Sequence, residues 1–401
     1  MTKLFSLKGQ IQNYAWGGYT FIPELLGQPV TDKKCAEYWL GAHDKAPAEV
    51  VTGNEKIPLN SFLNTDLEET VGTRVFEKFG RLPYLFKVLD VNDMLSIQVH
   101  PTKEEAEKGF KRENELGIPL SAPYRNYKDD NHKPEIMVAL SEFWLLHGFL
   151  PQDELMHMLI SIPEFKNLVS VFEEGGYHAL YKAVMEEPQE KTNTVLQPLV
   201  DRILPLYKAG KLSKSTPDYW AAKAVDSAED GTHLDKGIYS IYFFNIVKAE
   251  KGEAIFQDAG IPHAYLEGQN MELMANSDNV LRGGLTPKHV DVPELLKHVA
   301  FEETHPNIMK GEMQNDGLER IYKSPAPDFE LSQIKLMPSQ NYQANSKTAE
   351  IIIVISGSAT ITQGETSIFC KKGDTVLVLA NSPYAIRTSE AESILYKASA
   401  P

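Results

Sequence analysis

Residues 349–387 carry the pattern that most constrains the fold of this 401-residue chain. They read AEIIIVISGSATITQGETSIFCKKGDTVLVLANSPYAIR, and their short apolar-polar runs are separated at Gly357, Gly364 and Gly373. Alternation with a period of two predicts strands that bury one face, and glycine between such runs predicts tight turns. We therefore expect a block of antiparallel strands over residues 328–398.

Residues 1–150 have a similar texture. The runs AEYWLGAH, LPYLFKVLD, LSIQVHP and EIMVAL are rich in strand-forming residues and are bounded by Gly, Pro, Asn and Asp, which predicts short strands. One helix is predicted in TKEEAEKGFKRE, because Thr102 can act as its N-cap with Glu105 three positions later. This part of the chain is therefore expected to be mainly β.

The pattern becomes helical near residue 150. In QDELMHMLISI, residues Leu155, Met158, Leu159 and Ile162 fall on one helical face, which predicts a helix that packs through this face. Helical segments interrupted by prolines continue to about residue 222, after which we expect strands over GIYSIYFFNIVKAEKGEAIFQDAG, with a turn at AEKGE. This β–α–β–β order predicts barrels or sandwiches with a helical block inserted into the first.

The C-terminal rhythm of strand, glycine turn and Gly-Asp corner resembles the second half of a cupin-type jelly roll. The expected fold is mainly β, with two cupin-like jelly-roll domains and an inserted α-helical domain. The predicted catalytic β domain comprises residues 1–150 and 238–325, the helical insertion residues 151–237, and the C-terminal β domain residues 326–401. SKTAEIIIVISG lacks a His pair and NSPYAIR lacks a His, so we expect no metal site in the last domain.

Charge and cysteine content narrow the classes of function. The formal net charge of −15 argues against nucleic acid or an anionic membrane as a partner, although local Lys and Arg residues could still bind a small phosphorylated ligand. Cys35 and Cys370 are too few and too far apart for a disulfide framework or a CxxC zinc site. The N-terminus lacks an apolar signal-peptide core and the apolar runs are strand-length, so we expect a cytoplasmic protein.

Polar side chains interrupt an apolar strand in MLSIQVHP. Because side chains alternate along a strand, Ser96, Gln98 and His100 share one face, which could either face water or line a pocket with metal ligands. Other stretches offer matching chemistry: Glu135 after NHKP, His263 after a Gly-Ile-Pro turn, and the charged, glycine-rich NSDNVLRGGLTPKHVD. Each is weak alone, since a single His or Glu beside a proline turn is more often solvated or a capping residue.

Taken together, LPYLFKVLD, LSIQVHP, NHKPE, PHAYLEG and MELMANSDNVLRGGLTPKHVD resemble the type I mannose-6-phosphate isomerase (phosphomannose isomerase) family in order and spacing. The likeness extends at least from GQIQNYAWGG, residues 9–18, to residue 292, and is one of texture in the C-terminal third. It implies a zinc enzyme that interconverts mannose 6-phosphate and fructose 6-phosphate through a cis-enediol or enediolate. It also implies one Zn²⁺ per chain, with the ligands Gln98, His100, Glu135 and His263.

The resemblance also implies roles for further residues. Arg282 is the expected catalytic cation, because a guanidinium stays charged and can hold two oxygens at once. The proton carrier is expected within an unranked set of three residues: His132, Lys133 and Asp278. The phosphate group is expected to bind three residues: Lys87, Lys288 and Ser96. The sugar pocket is expected to include Glu37, Trp16, Tyr265 and Glu267.

Two other functions fit parts of the pattern. A metal-dependent cupin oxygenase would use a redox metal with two histidines and a carboxylate, and both Gln98 and the supply of cations for a phosphate count against it. A non-catalytic sugar-phosphate-binding cupin protein could lose the proton carrier, whereas Arg282, Lys133 and Glu135 are all present. His147 is expected to be structural. The protein is expected to be a monomer or weak homodimer that binds a small hexose 6-phosphate.

Overall fold

The computed structural model describes residues 2–228, 234–388 and 391–401. The strands of the first 150 residues are β1 (Leu4–Lys8), β2 (Gln10–Gln12), β3 (Glu37–Gly41), β4 (Glu49–Thr52), β5 (Glu55–Pro58), β6 (Tyr84–Val91), β7 (Gln98–Val99), β8 (Glu135–Ala139) and β9 (Phe143–Phe149). The helices of this segment are α1 (Phe21–Leu25), α2 (Leu59–Leu63), α3 (Leu67–Val71), α4 (Thr73–Phe79) and α5 (Lys103–Glu115).

The local predictions for this segment are largely confirmed. Thr102 caps α5, because its side chain accepts a hydrogen bond of 3.3 Å from the backbone N–H of Glu105. The strand predicted in LSIQVHP is shorter than expected and is restricted to Gln98–Val99. The short helices α1 to α4 were not predicted, since each has only five to seven residues and is too short to show a periodic pattern.

The middle of the chain is helical. Its elements are α6 (Gln152–Ser161), a 3₁₀ turn (Pro163–Phe165), α7 (Lys166–Glu186), α8 (Gln189–Lys208), α9 (Pro217–Asp226) and α10 (Gly237–Phe243). Leu155 and Leu159 are buried as predicted for α6. The prediction of strand from Gly237 was wrong for the first seven residues, which form α10. All of them are buried, and a continuous apolar run has no period that separates helix from strand.

The rest of the described chain is dominated by strands. They are β10 (Phe244–Ala249), β11 (Ala254–Gln257), β12 (His263–Ala275), β13 (Leu281–Arg282), β14 (Glu312–Met313), β15 (Glu319–Tyr322), β16 (Glu330–Leu336), β17 (Asn341–Ser346), β18 (Glu350–Ser356), β19 (Ser358–Gln363), β20 (Thr366–Lys371), β21 (Thr375–Val378), β22 (Ser382–Arg387) and β23 (Ser393–Ser399). One helix, α11 (Val292–His298), follows β13. The three glycines predicted at turns lie between β18 and β21 with positive φ, which only glycine adopts freely.

The strands form antiparallel sheets, so the mainly β fold is confirmed. One sheet has the order β10-β9-β12-β6-β3-β2, and β7, β8, β11 and β13 join it by pairing with β12 or with each other. A second has the order β14-β15-β16-β23-β18-β21-β1-β4-β5, and a third β17-β22-β19-β20. Strands β1, β4 and β5 therefore extend a sheet of the C-terminal region, whereas the prediction assigned all of residues 1–150 to the catalytic β domain.

Strand β12 organises the half of the molecule that carries the predicted ligands. Its 13 residues pair with β6, β7, β8 and β9. One core cluster packs the helical segment against residues of β7, β9 and β12, including Val99, Leu146 and Leu266. A separate apolar cluster around Leu89, Met137 and Tyr265 fills the space beneath the polar residues of the same sheet. No helix in the described part of the chain is long and apolar enough to cross a bilayer.

Candidate active site

Three neighbouring strands place predicted site residues side by side. Gln98 of β7 pairs with His263 of β12 on one side and with Arg282 of β13 on the other. Directly opposed residues of an antiparallel ladder project to the same face. The amide, the imidazole and the guanidinium therefore line one face, although they are separated by as many as 184 residues in sequence.

A buried group of side chains that could bind a metal includes His263 of this face. The ligand atoms of His100, Glu135 and His263 all lie within 4.8 Å of one another. The Nε2 atom of His100 is 3.4 Å from Glu135 Oε1, and the Nε2 atom of His263 is 3.5 Å from Glu135 Oε2. The structure thus brings together three of the four predicted zinc ligands, with Gln98 paired beside the third.

The outer hydrogen bonds of the two imidazoles fix their orientation. His100 Nδ1 donates to the carbonyl oxygen of Asn279 at 2.9 Å, and His263 Nδ1 donates to that of Ile261 at 2.8 Å. Because each Nδ1 carries the hydrogen, each Nε2 presents a lone pair. Both Nε2 atoms are buried and lack a hydrogen-bond partner in the described structure. Two lone pairs that converge on a carboxylate fit a divalent cation held by two imidazoles and a carboxylate.

The electrostatic setting favours the protonation states that bind metal. Burial, followed by the nearby Lys133 ammonium, lowers the pKa of His100 to about 4. Burial alone would raise the pKa of Glu135, but Lys133 and His100 outweigh it and hold this pKa well below its usual range. A neutral imidazole and an ionised carboxylate are the forms that a metal ion requires.

A cavity opens beside this group. Lys133 lies at its edge, with Nζ 3.0 Å from Glu135 Oε1. The side chains that line the cavity come mainly from β3, β6, β7, β8 and β12, and they are Glu37, Lys87, Leu89, Leu95, Gln98, Lys133, Glu135, His263, Ala264, Tyr265 and Glu272. The lining includes seven of the predicted site residues and adds Glu272, which the sequence did not reveal.

The Lys87 ammonium makes ion pairs with two carboxylates of the protein. Its Nζ is 2.9 Å from Glu272 Oε2 and 3.7 Å from Glu37 Oε2. The Tyr265 hydroxyl donates to the other oxygen of Glu272 at 2.8 Å. Burial alone would lower the pKa of Lys87, but the two carboxylates outweigh it and raise this pKa, whereas burial raises the pKa of Glu272. Lys87 and Glu272 are register partners on β6 and β12, a relation that sequence alone does not give.

Arg282 and Lys288 make no ion pair with a carboxylate among the described residues. Arg282 is partly buried and Lys288 is exposed. Burial lowers the pKa of Arg282, and burial followed by Arg282 lowers the pKa of Lys288. The predicted third phosphate ligand, Ser96, is half-buried and precedes Ile97, whose backbone N–H donates to the carbonyl of Gly284.

Two members of the predicted proton-carrier set have partners outside the cavity. His132 Nε2 is 2.8 Å from Asp328 Oδ2, on the connection between β15 and β16. Asp278 makes ion pairs with Lys45, at 2.5 Å, and with His43, at 3.3 Å. Burial alone would raise the pKa of Asp278, but these two neighbours outweigh it and lower this pKa.

The remaining predicted sugar-pocket residues divide in the same way. Glu37 and Tyr265 line the cavity. Trp16 is half-buried, packs against the apolar cluster beneath the site and stacks on Tyr14 with ring centroids 5.9 Å apart. Glu267 instead pairs with Lys214 and Lys223 of the helical segment.

Comparisons with known proteins identify the family of the chain. A model of the catalytic domain of type I phosphomannose isomerase matches residues 4–152. Mannose-6-phosphate isomerase of Escherichia coli (strain K12) is 35% identical over 393 residues, covering 95% of this chain and 96% of that protein. The human protein of the same name is 30% identical over 427 residues, covering 98% and 97%.

A solved structure of a protein with the same name is similar to this chain. Mannose 6-phosphate isomerase from Salmonella typhimurium, bound to its substrate fructose 6-phosphate and to zinc, is similar with a TM-score of 0.88. The identity is 31%, and the match covers 100% of both chains. The resemblance that the sequence motifs indicate is confirmed, and the chain belongs to the mannose-6-phosphate isomerase family.

Proposed function

We propose that this protein is a zinc-dependent isomerase that interconverts mannose 6-phosphate and fructose 6-phosphate. The observation that carries the proposal is the convergence of the free Nε2 atoms of His100 and His263 on Glu135. Family membership supplies the substrate pair, and the solved Salmonella relative holds both zinc and fructose 6-phosphate. These comparisons give no support to an oxygenase or to a non-catalytic binding protein.

His100, Glu135, His263 and Gln98 would hold the ion. Three neutral ligands and one carboxylate leave a Zn²⁺ site with a formal charge near +1, and the ion when bound supplies a Lewis acid for the sugar oxygens. Arg282 projects to the same face as Gln98 and His263. We assign it the role of holding an oxygen of the opened sugar, because its guanidinium keeps a full charge where negative charge develops.

Lys133 is the best-placed proton carrier of the three predicted residues. Aldose–ketose isomerisation moves a proton between C2 and C1, so the carrier must reach both carbons from one position. Lys133 lines the cavity next to Glu135, whereas His132 and Asp278 are bound to partners elsewhere. In the direction from mannose 6-phosphate, the Lys133 ammonium first releases a proton to solvent. The neutral Nζ then accepts the proton from C2 and returns it to C1, while a second proton moves from O2 to O1.

We assign the phosphate group to Lys288 and Ser96, because Arg282 is assigned to an oxygen of the opened sugar. Lys87 carries one positive charge against the two negative charges of Glu37 and Glu272, so this cluster repels a phosphate unless a carboxylate is protonated. Arg282 and Lys288 have no such carboxylates against them in the described chain and can accept an anion. We therefore assign Lys87 to the positioning of Glu37 and Glu272 rather than to the phosphate.

The cupin-like layout is part of the proposal. The site-bearing sheet and the C-terminal sheets are each antiparallel, and the helical segment is inserted between β9 and β10 of the first. The helical insertion would then extend to the end of α10 at Phe243, past the predicted boundary at residue 237, and β1, β4 and β5 would belong structurally to the C-terminal unit. The monomeric or weakly dimeric state and the cytoplasmic location stay predictions.

Activity with and without metal tests the function. The purified protein should convert mannose 6-phosphate to fructose 6-phosphate in a coupled assay, lose this activity with a chelator, and regain it when zinc is added back. An oxygenase would require a redox metal and consume oxygen, and a binding protein would hold one zinc ion without turnover. Full activity in a preparation shown to be free of metal would contradict the proposal.

A further inference from the structure

A buried carboxylate of the C-terminal region contacts the segment that carries His132 and Lys133. Asp328 lies between β15 and β16, is 2% exposed, and contacts His132 Nε2 through Oδ2 at 2.8 Å. Its neighbours Ala326 and Phe329 belong to the large apolar core. The position of Asp328 is therefore fixed by the core around it. A hydrogen bond to Asp328 restrains the His132 side chain.

His132 belongs to the short irregular segment that leads into β8. This segment lies between two hydrogen-bonded attachments. The side-chain amide of Asn131 donates to the carbonyl of Asn276 at 3.0 Å, and the carbonyl of Pro134 accepts from the backbone N–H of Ala275 at 3.2 Å. Between these attachments, His132 faces the C-terminal region and Lys133 faces the cavity.

The two side chains are coupled by the backbone that joins them. They belong to adjacent residues and contact opposite sides, His132 the C-terminal region and Lys133 the cavity. An anchor on one residue therefore restrains the backbone that carries the other. Lys133 carries four rotatable side-chain bonds, and its Nζ must stay within reach of two sugar carbons. A displacement of about 1 Å in such a group can cost about 100-fold in rate.

We infer that Asp328 is a positioning residue for the isomerase reaction, acting through His132 to hold Lys133 towards the sugar. This inference rests on the proposed function and gives the C-terminal region a direct part in it. His132 then acts as a link between Asp328 and Lys133, and does not itself exchange a proton with the substrate.

Removal of either end of the contact tests the inference. Asp328→Ala and His132→Ala should each lower kcat about 10-fold, with KM for mannose 6-phosphate changed less than about two-fold and zinc content unchanged at one per chain. Asp328→Asn keeps an acceptor for the His132 N–H and should retain most of kcat. The double variant should be no worse than His132→Ala alone, because both changes remove the same link.

A matched control removes a different buried contact between the same regions. The Tyr84 hydroxyl donates to the carbonyls of Ala349 and Ala398, so Tyr84→Phe should lower the thermal midpoint and leave kcat intact. Wild-type turnover in the same assay tests the proposed function separately.

Several outcomes overturn the inference. Wild-type kcat in Asp328→Ala, additive losses in the double variant, or recovery of kcat with excess zinc would each do so. A loss in His132→Ala that is far larger than in Asp328→Ala would identify His132 as a proton carrier. If Asp328→Ala does not fold, His132→Ala alone must show the kcat loss with KM and zinc content unchanged.

Discussion

The molecule contains the same buried polar arrangement twice. In the Lys87 cluster (Lys87, Glu272, Tyr265), the ammonium and the phenol bind opposite oxygens of Glu272 at 2.9 and 2.8 Å. In the Lys397 cluster (Lys397, Glu319, Tyr342), the equivalent distances to Glu319 are 2.7 and 2.8 Å.

The surroundings of the two clusters differ. The Lys87 cluster borders a cavity and the buried metal-binding group. The Lys397 cluster adjoins apolar residues such as Ile334 and Leu395, and its lysine also donates to the Tyr342 hydroxyl at 2.9 Å. A buried ion pair is thus a poor marker of function. The more informative feature is the convergence of the unpartnered Nε2 atoms of His100 and His263 on one carboxylate.

The largest difference between the two regions should appear when one proposed metal ligand is removed. His263→Ala should abolish zinc binding and lower kcat/KM by about 1,000-fold or more, because both the ion and its stabilisation of developing charge are lost. Glu319→Gln changes the Lys397 cluster and should leave zinc content at one per chain. Metal analysis with steady-state kinetics measures both. Loss of zinc in Glu319→Gln would contradict the conclusion that the Lys397 cluster has no part in metal binding.

Removal of the unpaired guanidinium should have the next largest effect. Arg282→Ala should lower kcat/KM by about 100-fold to 1,000-fold, the usual loss when one donor to developing charge is removed. Arg282→Lys keeps the positive charge but lacks the planar guanidinium that can donate to two oxygens. It should therefore recover only part of the kcat/KM that Arg282→Ala loses. Zinc content and thermal midpoint should stay at wild-type values. An Arg282→Ala variant with wild-type kcat/KM would remove this residue from the site.

The two lysines should be equivalent in stability and different in activity. Lys87→Met and Lys397→Met each leave buried carboxylates without their cation, and breaking a buried pair costs about 3–5 kcal/mol in the free energy of unfolding. Only Lys87→Met should also lower kcat, because Glu37 and Glu272 line the cavity. Urea unfolding and kinetics on the same preparations measure both effects. Equal kcat losses would show that the lysines act through stability alone.

Acid should weaken the site-bearing half by a smaller amount. Burial lowers the pKa of both His100 and His147 to about 4, so between about 4 and 6.5 the unfolded chain binds more protons than the folded one. The metal-free protein should therefore lose stability as pH falls through this window, by about 1.4 kcal/mol per pH unit for each group. Urea unfolding at several pH values measures the slope.

His147 allows this prediction to be sharpened. It lies opposite His263 on β9, and the sequence indicated only a structural role for it. His147→Leu should reduce the slope by one group's share, because it removes one of the two buried imidazoles whose pKa is lowered. An unchanged slope in His147→Leu would contradict the assignment.

The sequence predicted the chemistry of the metal site better than its supporting contacts. Strand alternation placed Gln98 and His100 on one face, and the family motifs added Glu135 and His263. The contact between Lys87 and Glu272 joins residues 185 positions apart, and that between His132 and Asp328 joins residues 196 apart. Such pairs depend on strand register and on sheet packing, which local patterns do not encode. The misassigned α10 has the related cause that full burial removes periodicity.

One feature of the sheets bears on how the chain is made. Strand β1 pairs with β4 nearby, but its other edge pairs with β21, more than 360 residues later. During synthesis, that edge has no permanent neighbour until β21 has left the ribosome. Completion of this sheet therefore waits for the translation of β21, and a product terminated before it would display an open strand edge prone to self-association.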